Sequence, residues 1–128
     1  MKTVLCFLSI FVGVVFAGDD AAFAACCKDK NVAETCQPIC KYESTPDDVT
    51  KAFAEGQCNV ETDGSPFYQC LENQKDNTEC CKAAGVGADA SLDFCLDTCD
   101  GSKPHTYDPK YNGCSAYAQA IFDCGKNA

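Results

Sequence analysis

The chain has 128 residues, of which 46% are apolar and 13 are cysteine, with nineteen Asp and Glu set against ten Lys and neither Trp nor Arg present. A formal charge of −9 opposes binding to nucleic acid phosphates or anionic membranes, and the length bounds the fold to one domain with a core of modest size. Cysteine at about a tenth of a short chain points to a disulfide scaffold in an oxidising compartment.

Residues 1–17 have the build of a secretory leader: basic Lys2, an apolar run from Val4 to Phe16, and small Ala17 before Gly18, Asp19 and Asp20. A membrane span needs roughly 20 apolar residues and this run supplies about 14, so cleavage after Ala17 is the expectation. The C-terminal Lys126, Asn127 and Ala128 carry no lipidation signal. A soluble extracellular product of residues 18–128 follows, without membrane anchor. Loss of Lys2 leaves nine lysines against nineteen carboxylates, a mature charge of −10.

Cys6 departs with the leader and twelve cysteines remain: Cys26, Cys27, Cys36, Cys40, Cys58, Cys70, Cys80, Cys81, Cys95, Cys99, Cys114 and Cys124. An even set predicts six bridges. Adjacent cysteines are poorly shaped to bridge each other, so each doublet should join two different segments; the pairing itself stays open. Zinc would need C-x2-C pairs, which are missing, and His105 is the single imidazole, so no metal and no cofactor are expected.

In chain order, Cys36 and Cys40 flank Pro38, which limits that stretch to a single turn near Gln37. Thr45-Pro46-Asp47-Asp48 supplies an N-cap hydroxyl, a proline at the first helical position and acids in the first turn, with Val49, Ala52 and Phe53 on one face and Gly56 as a stop. Ser65-Pro66 predicts another start, with Phe67, Cys70 and Leu71 on one stripe. Leu92, Cys95, Leu96 and Cys99 follow helical spacing, with Gly101 just beyond. Asp108-Pro109 opens a longer helix carrying Tyr111, Cys114, Ala118, Ile121 and Cys124 and ending at Gly125. No stretch alternates over six positions, so little or no sheet is expected.

The cysteine order repeats. A doublet, a C-x3-C pair and two single cysteines run from Cys26 and again from Cys80, with equivalent positions 54 to 59 residues apart. Cys26-Cys27-Lys28 matches Cys80-Cys81-Lys82, which reads as internal duplication of a six-cysteine unit. The fold class predicted is small, disulfide-rich and mainly α-helical, with two related six-cysteine halves in one compact domain.

Catalytic chemistry finds little support. Phospholipase A2 places a catalytic histidine three residues after a cysteine doublet, whereas these doublets lead into Lys28-Asp29-Lys30 and Lys82-Ala83-Ala84. His105 reads as a solvated loop residue, and Ser102, His105 and Asp108 lack any nucleophile elbow. Asn59 to Gly64 resembles the first half of a calcium loop, but Cys70 stands where the bidentate glutamate belongs. No enzyme is predicted and no catalytic residue is assigned.

Phe23-Ala24-Ala25-Cys26-Cys27, Cys36-x3-Cys40-Lys41-Tyr42, Tyr68-x-Cys70, Asp76-x-Thr78-x-Cys80-Cys81, Ala84-Gly85-Val86, Cys95-x3-Cys99-Asp100-Gly101, Cys114-x2-Tyr117 and Ile121-x2-Cys124 together resemble the DB module of nematodes. That family is described as a twelve-cysteine extracellular domain with no assigned biochemical activity. The resemblance implies secretion and six bridges, and no active site. It departs near Ala88 to Ser91, where three extra residues should lengthen a loop. The functional expectation is a secreted interaction module or small ligand with an extracellular protein partner. The alternatives are a structural component of matrix or cuticle, cross-linked through Tyr107, Tyr111 or Tyr117, and a carrier of a small apolar ligand.

Overall fold

The structure, a computed structural model, describes residues 19–128; the leader assigned to residues 1–17 lies outside them. Among the described residues there are five α-helices: α1 Asp20–Asp29, α2 Pro46–Ala54, α3 Val60–Leu71, α4 Thr78–Ala83 and α5 Ala118–Lys126. Three 3-10 segments, Gln37–Ile39, Ala90–Cys99 and Pro109–Tyr117, connect them. Among the described residues there is no strand, only an isolated antiparallel bridge between Asp76 and Asp100.

All twelve described cysteines are paired, and the pairing obeys one rule twice. In each half the first cysteine of the doublet joins the sixth, the second joins the fourth and the third joins the fifth: Cys26–Cys70, Cys27–Cys40 and Cys36–Cys58, then Cys80–Cys124, Cys81–Cys99 and Cys95–Cys114. The first-to-sixth bridge spans 44 residues in both halves. None of these bridges crosses between residues 19–74 and residues 75–128. Each doublet staples two segments, as the strain of a vicinal bridge requires.

The duplication extends to the backbone. After α1, Asn31 takes a left-handed φ of 64° and the Val32 N–H reaches back to the Cys27 carbonyl at 2.9 Å; after α4, Gly85 takes φ 96° and the Val86 N–H reaches the Cys81 carbonyl at 2.9 Å. Both are the same helix stop, a left-handed residue followed by a buried valine that satisfies a terminal carbonyl.

Local chemistry accounts for the helix starts. Thr45 and Asp48 form a reciprocal capping box around Pro46 at the head of α2, and Gly56 adopts φ 86° just past its end. Asp108 accepts from the Lys110 N–H at 2.9 Å and opens the Pro109 segment. That segment begins as 3-10 and becomes α-helical only from Ala118, so the expected long helix is two elements. Gly125 lies inside α5 rather than ending it. The Ala90–Cys99 stretch is also 3-10, with the extra residues near Asp89 forming its cap.

One expected boundary moves. Helix α3 begins six residues before Pro66, capped by Asn59, whose Oδ1 accepts from Glu61 and Thr62 N–H groups. The first turn is fixed by buried Asp63, whose two oxygens accept the Ala33 N–H at 3.0 Å and the Asn59 N–H at 2.9 Å. These bonds hold the turns before Pro66 in helix although its ring removes one hydrogen bond, a change that ordinarily costs roughly 3 kcal/mol. Ser65 is consequently no cap; its hydroxyl oxygen accepts the His105 N–H at 3.1 Å.

The core joins the two halves. Phe23, Phe67 and Leu71 are fully buried, and aromatic rings run in sequence from Phe67 to Tyr68 (5.3 Å between centroids), Tyr107 (5.4 Å), Tyr111 (4.6 Å) and Phe94 (5.0 Å). Tyr42 of the first half meets Phe122 of the second edge-on at 6.5 Å. Such pairs add about 0.5–1.5 kcal/mol each beyond area burial.

Candidate functional site

His105 is not a solvated loop residue. Its side chain is 17% exposed, with Nε2 3.3 Å from Asp100 Oδ2 and Nδ1 4.0 Å from Asp97 Oδ1. Asp97 is itself engaged: Tyr111 donates its hydroxyl to Oδ2 at 2.7 Å and Tyr107 donates to the backbone carbonyl at 3.0 Å. Burial drives both phenols above their usual range, with the Asp97 charge adding to the effect. Asp100 is held below the usual carboxylate range, because bonds from Ser102 and His105 outweigh its slight burial.

Ser102 and Asp108 do not assemble a triad with His105. Ser102 gives both its N–H and its hydroxyl to Asp100, and Asp108 is occupied as a helix cap. Sequence proximity thus brings Ser102 and His105 to one carboxylate in the roles of donors. The loop is pinned from both sides, by Asp100 on its own half and by Ser65 of α3 on the other. The cluster fixes a loop, and it was not legible in the sequence because Asp97 lies in, and Asp100 at the end of, a 3-10 segment whose facing cannot be read from α-helical spacing.

The stretch resembling a calcium loop is occupied otherwise. Asn59 caps α3, the residues from Val60 to Gly64 are helical, Asp63 is bound by two backbone donors, and Cys70 is bridged to Cys26. Gly64 faces Tyr107, which a Cβ at that position would meet at 3.2 Å.

A buried carboxyl lies where the halves meet. Glu72, directly after α3, is fully buried; Oε1 accepts the Asn77 side-chain amide at 2.9 Å and Oε2 has no partner among the described residues. Desolvation, opposed only by the Asn77 bond, pushes its carboxyl up to about 9. It carries a proton at neutral pH. Around it the backbones approach closely: a Cβ on Gly101 would lie 2.8 Å from Glu72 Cβ, and one on Gly125 would lie against the Leu71 carbonyl oxygen. Nothing in the Leu71-Glu72-Asn73-Gln74-Lys75 run marks Glu72 as buried, because a string of polar residues after a helix reads as surface.

Between α2, α3 and α5 lies an apolar crevice bordered by Val49, Phe53, Tyr68, Leu71, Ile121 and Phe122, with an internal volume of about 40 Å³. That space holds only a few water-sized groups. No helix among the described residues is long and apolar enough to cross a membrane, and no group of three or more His, Cys, Asp or Glu there could hold a metal ion.

The doublets, the C-x3-C pairs and the repeated bridge pattern are what a family comparison can test. A family model described as the DB module matches residues 26–125, from the first doublet to Gly125 in the last turn of α5. The chain belongs to the DB module family. No curated protein and no solved structure matches it. The match contains all twelve described cysteines, so both closed half-frameworks lie within the DB module.

Proposed function

We propose that this DB module is a secreted, non-enzymatic interaction module that acts by presenting a rigid acidic surface to an extracellular protein partner. The observation that carries the reading is the covalent frame: twelve paired cysteines in a domain of about 110 residues persist only in an oxidising compartment. Six bridges at about 2–5 kcal/mol each together match or exceed the net stability of about 5–15 kcal/mol of an ordinary domain, so folding depends on oxidation. The surface they present is therefore pre-organised, which lowers the ordering cost of association.

Two other readings find less support. Of Tyr107, Tyr111 and Tyr117, the tyrosines considered for cross-linking into matrix, the first two are buried at 3% and 9% exposure and bonded to Asp97, which leaves only the half-buried Tyr117. The apolar crevice, at about 40 Å³, is far below the roughly 300 Å³ or more typical of small-ligand pockets, and the two larger hollows beside Pro38, about 330 and 740 Å³, lie open to solvent rather than enclosed.

The test is saturable binding of the oxidised protein, compared with reduced and alkylated protein, to an array of extracellular domains. Binding that vanishes on reduction and weakens as salt rises supports the proposal. Turnover of a substrate by the oxidised protein, abolished in His105→Ala, would replace it with an enzymatic reading.

A further inference from the structure

The two halves meet at equivalent positions. Leu71 and Gly125 follow the sixth cysteine in their respective halves, and their backbones lie against each other. Nothing covalent other than the chain itself holds the halves together, since each set of three bridges closes on its own side.

The connection is short and strained. Asn73 and Gln74 both adopt left-handed φ, 58° and 56°, a conformation that residues with a Cβ disfavour. Gln74 is still bound to the first half, its N–H donating to the Gln69 carbonyl at 2.8 Å. Lys75 bonds both ways, its N–H donating to the Glu72 carbonyl at 3.2 Å and its carbonyl accepting the Gly101 N–H at 2.7 Å. The crossing thus lies at Gln74 and Lys75, where extended backbone would relieve the left-handed strain in exchange for the two N–H bonds to the first half.

We propose that a second copy of this chain is a partner of the DB module, through a domain-swapped dimer in which residues 19–74 of one copy pack against residues 75–128 of the other. The occupant of each exposed half is given by the fold: the surface that Leu71, Tyr42, Tyr68 and Glu72 present is complementary to Gly125, Phe122, Tyr107 and Asn77, whichever chain supplies them. Each half closes its own bridges, so the exchange breaks no disulfide. Docking in trans remakes the contacts made in cis and straightens two strained linkers in place of none. It becomes competitive during oxidative folding, before the halves have docked.

The reduced, denatured protein is refolded oxidatively at a series of concentrations, and its mass is measured by size exclusion with light scattering, alongside thiol titration and non-reducing denaturing gels. The expected result is a dimer whose share rises with concentration, with no free thiol and with monomer-sized chains on the gel. Gln74→Gly makes the left-handed turn cheap and should lower the dimerisation constant on the order of tenfold. Gln74→Pro cannot adopt positive φ, drives residue 73 extended as well, and should raise it by a similar factor. Wild-type protein that is monomeric at every concentration overturns the proposal. So does a dimer linked by disulfide, or one whose share Gln74→Gly leaves unchanged, a comparison that stands even if Gln74→Pro does not fold.

Discussion

Glu72 is the residue whose environment departs furthest from its position in the sequence. Its carboxyl is buried against Asn77 and titrates near 9 in the folded protein, against about 4.5 when exposed. The folded state therefore keeps a proton that the unfolded chain releases, so the contribution of Glu72 to stability is fully present below pH 4.5, falls as pH rises through the window to about 9, and levels beyond it, while Asp100, held below its usual range, acts in the opposite sense in acid. The loss across that window should be several kcal/mol, since each pH unit of difference corresponds to about 1.4 kcal/mol. Glu72→Gln, which retains the amide bond and the size, should flatten this dependence in thermal melts between pH 5 and pH 9; an unchanged slope would show that Glu72 is not the group responsible. Gly125 makes a complementary prediction. A methyl there would lie against the Leu71 carbonyl oxygen, which cannot move aside as a flexible side chain can, so Gly125→Ala should cost about 3 kcal/mol in denaturant unfolding.

At the scale of elements, the sequence was informative where local chemistry decides and silent where burial decides. The α2 start could be read from Thr45 to Asp48 because a cap, a proline and first-turn acids act within four residues. Removing the hydroxyl with Thr45→Ala should cost about 1 kcal/mol, measurable as a lower midpoint in urea. The true start of α3 was hidden. Pro66 marks a start by local rules, but Asp63, bonded to a residue thirty positions earlier, extends the helix past it. Asp63→Ala strands two backbone N–H groups and should destabilise by about 2–4 kcal/mol in the same assay, with Asp63→Asn intermediate. Helices α1 and α4 were missed because their buried stripes are too short to set a period: Phe23 and Cys27 are the buried residues of α1 and Cys81 that of α4. The 3-10 character of Ala90–Cys99 and Pro109–Tyr117 was equally hidden, because i, i+3 spacing fits both helix types over so short a run.

For the molecule as a whole, the spacing of cysteines conveyed the most. Two six-cysteine units with matching order predicted two related halves, and the structure resolves them into two closed sets with one connectivity, a choice that sequence could not make among roughly ten thousand pairings. The candidate site was less legible. His105 stood out as the single imidazole, yet its engagement with Asp97 and Asp100 depends on how a 3-10 segment and a loop fold back on each other. The central claim is that the halves are covalently independent apart from the chain joining them, and lysine-specific cleavage tests it because Lys75 lies exposed at the junction. Digestion of the native protein in denaturant without reductant, read by mass spectrometry, should yield two separate disulfide-linked clusters, one holding Cys26 to Cys70 and the other Cys80 to Cys124. A single cluster joining the two, or any cysteine recovered as a free thiol, would contradict it.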